Sequence, residues 1–96
     1  MALVISPKIR EKLKSKHCVT EEEVAQCFAN CSGIFLKDTR EQHASDPPSL
    51  WFISETDYGR KLKIVFVPRG ADNYLRTAFP PNEAETRIYD KFGVRS

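Results

Sequence analysis

The sequence predicts an α+β fold with two N-terminal helices, an antiparallel sheet of three to four strands and a C-terminal helix. Three observations lead to this prediction. Thr20 and Glu23 have the T-x-x-E spacing of a capping box, which begins a helix. Residues 61–67 alternate in the way that a strand with one buried face does. Asn82, followed by Glu85, has the spacing of a second capping box.

Two helices are predicted before the sheet. Ser6 and Pro7 supply a capping hydroxyl and a proline at the first helical position, so the first helix runs from residue 7 to about residue 16. The second helix follows Thr20 and ends at Gly33, which is expected to take the left-handed conformation. Its apolar residues recur at the spacing of one buried helix face: Val24, Cys27, Phe28 and Cys31.

The strands and the last helix follow in order. Strands are predicted at 34–36, 50–56, 61–67 and 74–79, and the polar residues 38–48 form a long loop. The last helix follows Asn82, ends at Gly93 and turns an apolar row of Ala84, Ile88 and Phe92 toward the sheet. Helices are expected to cover one sheet face, with a core that includes Phe28, Ile64, Phe66 and Ile88.

Composition limits the class of protein. Residues 1–96 bury enough surface for a single domain. No apolar run is long enough to span a membrane, and the N-terminus does not resemble a signal peptide, so a cytoplasmic protein is expected. The three cysteines are expected to be reduced and buried, without the paired spacing of a metal site. No cofactor is predicted.

Positive charge is unevenly distributed, although the net charge is only +2. Five cations and one carboxylate lie between residues 8 and 17, and a second basic group lies between residues 60 and 76. Such clusters suit a nucleic acid or an acidic partner. They equally suit a solvated helix face and the lysines of edge strands, and the sequence leaves both interpretations open.

Three short segments resemble one protein family in their order along the chain. They are Lys16-His17 before the second helix, Gly59-Arg60 between two strands, and Thr77-Ala78 followed by the E-x-R-I-Y run at 85–89. In this order they resemble the BrnT family of small bacterial type II toxins, whose fold is similar to that of the RelE and ParE ribonuclease toxins. Two positions differ from the family pattern, and the loop at 38–48 and the acidic segment at 54–57 are also less similar to the family. Cys18 stands where the family has glycine, and Phe79 stands where it has arginine.

The resemblance implies a toxin that cleaves RNA without a metal ion and is neutralised by a small antitoxin protein. Because Phe79 replaces a cation, a second hypothesis is a non-catalytic module on the same fold that binds protein or RNA. The chain also resembles small proteins described as ADP-ribosyl-dinitrogen reductase hydrolases. Such hydrolases resemble larger all-helical domains with clustered acidic metal ligands, and this sequence has no such cluster.

Metal-free RNA cleavage needs a base, cations that hold the phosphate, and an acid. The resemblance implies that these groups lie on the sheet face and the final helix, where the candidates are His17, Arg60, Arg76, Arg87 and Tyr89, with His43 in the predicted loop. His17 is the candidate base, because histidine titrates near neutrality. Structural alternatives remain open for each residue: a helix-terminal histidine, turn or surface arginines, a packed tyrosine and a solvated loop histidine.

Overall fold

A computed structural model describes residues 2–37 and 49–93, and it confirms the α+β class. The predicted loop at 38–48, with His43, lies outside the described residues. Three helices and five strands occur in the order β1 Ala2–Val4, α1 Pro7–Lys12, α2 Glu21–Asn30, β2 Leu36–Lys37, β3 Leu50–Glu55, β4 Lys61–Arg69, β5 Asp72–Phe79 and α3 Glu83–Phe92. The strands form one sheet with the order β1-β5-β4-β3-β2.

The predicted sheet of three to four antiparallel strands is wrong in number and in direction. The sheet has five strands, and β1 runs parallel to β5, with Val4 opposite Tyr74. β1 has only three residues, too few to show an alternating pattern, and its partner lies far along the chain. Local sequence patterns therefore do not reveal it.

The first helix extends about as far as predicted, but it changes its hydrogen bonding. The Ser6 hydroxyl caps it by accepting from the backbone N–H of Ile9 at 3.3 Å. After α1, residues Leu13–His17 form a π-helical segment, which ends when Val19 donates its N–H to the Leu13 carbonyl at 3.0 Å. Cys18 then adopts the left-handed conformation, with φ of 52°. This exposed cysteine contradicts the prediction of buried cysteines.

Replacing Cys18 with glycine is expected to stabilise the protein by about 0.5–1 kcal/mol. A side chain in the left-handed region costs about 1–2 kcal/mol, part of which is offset by the larger chain entropy of glycine. Cys18→Ala keeps the Cβ atom and is the matched control, with little expected change. Urea denaturation of both variants measures the difference. Equal stability of the glycine and alanine variants would show that Cys18 is not strained.

α2 begins as predicted and ends earlier than predicted. The Thr20 hydroxyl accepts from the Glu23 N–H at 3.1 Å, and a Glu23 carboxylate oxygen accepts from the Thr20 N–H at 3.0 Å, which confirms the capping box. The helix ends at Asn30, and the next residue, Cys31, is extended. Gly33 is therefore not the helix terminator. Its backbone instead passes close to Tyr89 and to the Gly93 carbonyl, where a Cβ atom would collide.

Helices pack on both faces of the sheet, which corrects the prediction of one covered face. Trp51 and Phe52 are neighbours in β3, so their side chains point to opposite faces. The Phe52 ring lies 4.9 Å from Phe28 of α2, whereas the Trp51 ring lies 5.7 Å from Tyr89 of α3. Because both faces are covered, residues Leu62 to Val67 of β4 are all buried.

α3 begins at the predicted capping box but buries a different side. The Asn82 side chain accepts from the Glu85 N–H, and a Glu85 carboxylate oxygen accepts from the Asn82 N–H. Tyr89 is buried, whereas Ile88 and Phe92 are 47% and 59% exposed, so the predicted apolar row faces outward. The helix turns Glu85 and Tyr89 toward the sheet instead. No helix in the described part of the chain is long and apolar enough to cross a lipid bilayer.

The core prediction is correct for two of its four members. Ile64 and Phe66 are almost fully buried in β4. Phe28 is only half-buried, although its ring packs against both Phe52 and Phe66. Ile88 is outside the core because α3 is rotated relative to the predicted orientation.

Candidate functional site

Arg60 connects the end of the π-helical segment to the start of α2. Its Nη2 donates to the His17 carbonyl at 3.2 Å, and its Nη1 donates to the Cys18 carbonyl at 2.8 Å. Nη1 also contacts the two carboxylate oxygens of Glu23 at 3.2 and 3.1 Å. Carbonyls at a helix C-terminus need such donors, because they have no partner within the helix. The Arg60 guanidinium thus has a structural role at the junction of two helices.

The carboxylate beside Arg60 is stabilised in its charged form. Burial alone would raise the pKa of Glu23, but the backbone N–H of Thr20 and the Arg60 guanidinium outweigh burial and lower this pKa. Glu23 is therefore ionised at neutral pH and pairs with Arg60 within the fold. A phosphate binding to Arg60 would have to compete with this carboxylate.

Replacing Arg60 with alanine is expected to lower the free energy of unfolding by about 2 kcal/mol, because the charge-assisted bonds to Glu23 and to two carbonyls are lost. Arg60→Lys is expected to recover only part of the loss, since one ammonium group cannot span all three acceptors. The control is Arg87→Ala, which removes an exposed arginine and should cost less than about 0.5 kcal/mol. Urea denaturation gives the three values. Unchanged stability of Arg60→Ala would show that these bonds do not stabilise the fold.

His17 lies at the end of the π-helical segment and is half-buried. Its ring packs against Phe79 with a centroid separation of 5.6 Å. Its carbonyl, rather than its ring, makes the contact with Arg60. His17 and Arg60 are therefore neighbours, but the Arg60 guanidinium is bound to the backbone of this region and not to the imidazole.

Tyr89 belongs to α3 and is buried. Its hydroxyl donates to the Ile34 carbonyl at 2.9 Å, and Cys31 lies beside the same hydroxyl. Burial and the neighbouring Cys31 raise the pKa of Tyr89. A phenol with a raised pKa and a committed hydrogen bond is poorly suited to donate a proton to a leaving oxygen.

The two remaining arginines lie apart from each other. Arg87 pairs with Glu83 on the outer side of α3 at 2.6 Å, and both side chains are largely exposed. Arg76 is exposed on β5, where Leu75 pairs with Phe66 and Thr77 pairs with Val65. Arg76 is thus the extra residue of a β-bulge, a feature that redirects side chains at sheet edges. The five candidates do not form one cluster; only His17 and Arg60 are in contact.

A cluster that sequence reasoning missed lies on the sheet face under α3. Lys63 Nζ pairs with a Glu85 carboxylate oxygen at 2.6 Å, with only 10% of the lysine side chain exposed. The same Nζ lies 4.5 Å from the centre of the Trp51 ring and 5.7 Å from that of Phe79. Cation–π contacts of this length stabilise a desolvated ammonium group. Lys63 and Glu85 are 22 residues apart, so no local spacing predicts the pair.

A row of lysines lies on the side of the first helix that faces away from α2. Arg10 pairs with Glu21 of α2 at 3.2 Å, which identifies the side that faces α2. The lysine row, Lys8, Lys12 and Lys16, has the four-residue spacing of one helix face. Lys8 and Lys16 are exposed, and none of the three forms an ion pair with a described residue.

The strand that the first helix contacts, β5, carries two exposed side chains. Both α1 and the π-helical segment contact β5, where Tyr74 is 41% exposed and Arg76 is also exposed. The guanidinium of Arg69 lies 6.0 Å from the centre of the Tyr74 ring. We call the lysine row, together with Tyr74 and Arg76 of the strand that the first helix contacts, the basic surface. It combines unpaired cations with an aromatic side chain.

No family model matches this chain, and no curated protein matches it. The resemblance to the BrnT toxins therefore rests on the short sequence segments alone. Within residues 2–37 and 49–93, no group of three or more histidine, cysteine, aspartate or glutamate side chains is arranged to hold a metal ion. The basic surface is the most extensive arrangement of unpaired charge among the features described above.

Proposed function

We propose that this chain is a non-catalytic module that binds single-stranded RNA through the basic surface. The observation that carries the proposal is the lysine row, Lys8, Lys12 and Lys16, whose members have no ion-pair partner among the described residues. Residues 8–17 hold five cations and one carboxylate, while the whole chain has a net charge of only +2. The rest of the chain is thus net acidic, and positive charge is concentrated on one helix.

The side chains beside the lysine row favour RNA over an acidic protein. Bases of single-stranded RNA stack on aromatic rings and on arginine guanidinium groups, while lysines contact the phosphates. Tyr74 of β5 and Arg69 of β4 supply such a ring and guanidinium, and Arg76 of β5 adds a cation. An acidic protein that binds through charge alone would not need contact with the exposed Tyr74 ring.

Bonds within the fold support binding without cleavage. Arg60 is committed to Glu23 and two carbonyls, Arg87 to Glu83, and the Tyr89 hydroxyl to Ile34. A cleaving site needs a base, a phosphate clamp and an acid around one phosphate. Of the five candidates, only the side chains of His17 and Arg76 form no hydrogen bond or ion pair with a described residue.

The test combines binding and cleavage in one assay. Purified protein is mixed with a short, fluorescently labelled single-stranded RNA in a buffer containing EDTA. We expect a rise in fluorescence anisotropy, with the RNA remaining intact on a denaturing gel. Cleavage that is abolished by His17→Ala would contradict the non-catalytic proposal. Absence of any binding at low salt would contradict the RNA proposal itself.

A second candidate function is the ribonuclease toxin with a small antitoxin that the sequence resemblance implies. One observation favours it: the Phe79 ring lies 5.6 Å from the His17 ring and 5.7 Å from Lys63 Nζ, so an imidazole and a cation approach the same aromatic side chain. Expression of the chain alone in a bacterial host separates the two functions. Arrested growth with degraded RNA, relieved by His17→Ala, would favour the toxin. Normal growth with intact RNA is expected for the binding module.

A further inference from the structure

The outer edge of β3 is open along part of its length. β2 pairs with β3 only through Leu36 opposite Trp51 and Lys37 opposite Leu50. If this ladder continued, Ile34 would lie opposite Ile53. Instead, Ile34 donates its N–H to the Gly93 carbonyl at 2.7 Å and accepts at its own carbonyl from the Tyr89 hydroxyl at 2.9 Å. The end of α3 thus forms hydrogen bonds with the backbone groups of Ile34 that would otherwise have paired with Ile53.

The hydrogen-bonding pattern of β3 shows which backbone groups face this open edge. Thr56 donates its N–H to the Arg60 carbonyl across the turn at 2.9 Å, so even-numbered residues of β3 bond to β4. Odd-numbered residues then face outward, in agreement with the Glu55 carbonyl accepting from Asn30 of α2 at 3.0 Å. The N–H and carbonyl of Ile53 therefore face the open edge without a partner among the described residues.

A cleft of about 630 Å³ lies along this edge. Among the residues that the structure describes, Glu55, Asp57 and Asp90 line it, against one cation, Lys61. Ser54 also lines the cleft, and its buried hydroxyl has no hydrogen-bond partner among the described residues. The cleft therefore combines unpaired strand backbone, an unsatisfied hydroxyl and an excess of negative charge.

We propose that this edge receives an extended, basic segment of a partner protein, which adds to β3 as a further strand. An exposed strand edge pairs with an extended peptide through backbone hydrogen bonds, and the neighbouring side chains set the specificity. Here Ile53 supplies the donor and acceptor, while the three carboxylates select lysine or arginine. A second copy of the chain is a poor occupant, since its identical acidic edge would place like charges together. This site is separate from the basic surface and does not depend on RNA binding.

The probe is a short synthetic peptide of alternating lysine and valine, titrated into isotopically labelled protein and followed by NMR. We expect the amide resonances of Ile53 and Glu55 to shift in a saturable manner. A peptide of alternating glutamate and valine should not bind. Failure of the basic peptide to bind at concentrations up to about 1 mM would overturn the proposal.

Two variants locate the binding. The double substitution Glu55→Lys and Asp90→Lys reverses two exposed charges. It is expected to weaken peptide binding at least tenfold, because close charge pairs at an interface contribute an affinity of this order. The control, Glu11→Lys with Glu22→Lys, makes the same charge change on exposed residues outside the cleft and should leave the affinity unchanged. Equal weakening by both pairs would mean that the peptide responds only to net charge.

A third variant tests the backbone contact itself. Ile53→Pro removes the outward N–H while leaving the bonds between β3 and β4, because proline is tolerated at a strand edge. We expect it to abolish the shift at Glu55 while the rest of the spectrum remains that of a folded protein. Undiminished peptide binding to folded Ile53→Pro would exclude strand addition, and the charge-reversal pair provides the test if this variant does not fold.

Discussion

Replacing Glu85 with alanine is expected to lower the free energy of unfolding by about 3–5 kcal/mol. One carboxylate oxygen of Glu85 pairs with Lys63 Nζ at 2.6 Å, and the other accepts from the Asn82 N–H at 3.0 Å. Only 10% of the lysine side chain is exposed, so the substitution would leave a buried ammonium group without its counter-ion. It would also remove half of the capping box of α3.

Two comparisons isolate the cause of this effect. Glu83→Ala removes an exposed carboxylate from the same helical turn, and its pair with Arg87 is open to solvent, so a loss below about 0.5 kcal/mol is expected. Lys63→Met combined with Glu85→Met removes both charges and should recover most of the stability. Urea denaturation measures all three variants. Similar losses for Glu83→Ala and Glu85→Ala would show that the buried pair does not stabilise the fold.

Replacing Lys8, Lys12 and Lys16 with glutamine is expected to weaken binding of single-stranded RNA by roughly 50-fold at physiological salt, because each phosphate contact contributes about 0.7 to the salt slope. The side chains lie on the helix surface, so the fold should be retained. Fluorescence anisotropy with a labelled RNA measures the change.

The matched control removes the same charge from other places. Lys14, Lys61 and Lys91 are exposed, and none belongs to the basic surface. Their joint replacement by glutamine should weaken binding only a few-fold, through the general loss of positive potential. If both triple variants weakened binding equally, the RNA would respond to net charge and not to the lysine row.

Local patterns in the sequence predicted the beginnings of helices well. The boxes at Thr20 and Asn82 are confirmed because a cap depends on residues only three positions apart. Gly33 illustrates the limit of such reasoning. A glycine after a helical pattern suggests a terminator, but here glycine is required by a close approach to Tyr89, a contact across the fold.

The candidate site was harder to predict than the helix starts, because side chains from distant segments of the chain form it. Arg60 was expected to contact phosphate or occupy a turn. It lies in the turn between β3 and β4, but its guanidinium binds Glu23, which is 37 residues away. In the sequence, Lys63 has the pattern of a lysine on the exposed face of a strand. It is buried because α3 covers that face, and local sequence patterns do not show this contact. The cluster of cations in residues 8–17 was visible in the sequence. Only the Arg10–Glu21 pair distinguishes the side of the helix that carries the lysine row.

The dependence of RNA affinity on salt tests the central claim most directly. With Lys8, Lys12, Lys16 and Arg76 contacting phosphates, the logarithm of the association constant should fall against the logarithm of the potassium chloride concentration with a slope of about −3. Replacing the lysine row with glutamine should reduce the magnitude of this slope by about 2, while the control triple variant leaves it nearly unchanged. A wild-type slope near zero, or a slope that the lysine-row variant shares with the wild type, would contradict RNA binding through the basic surface.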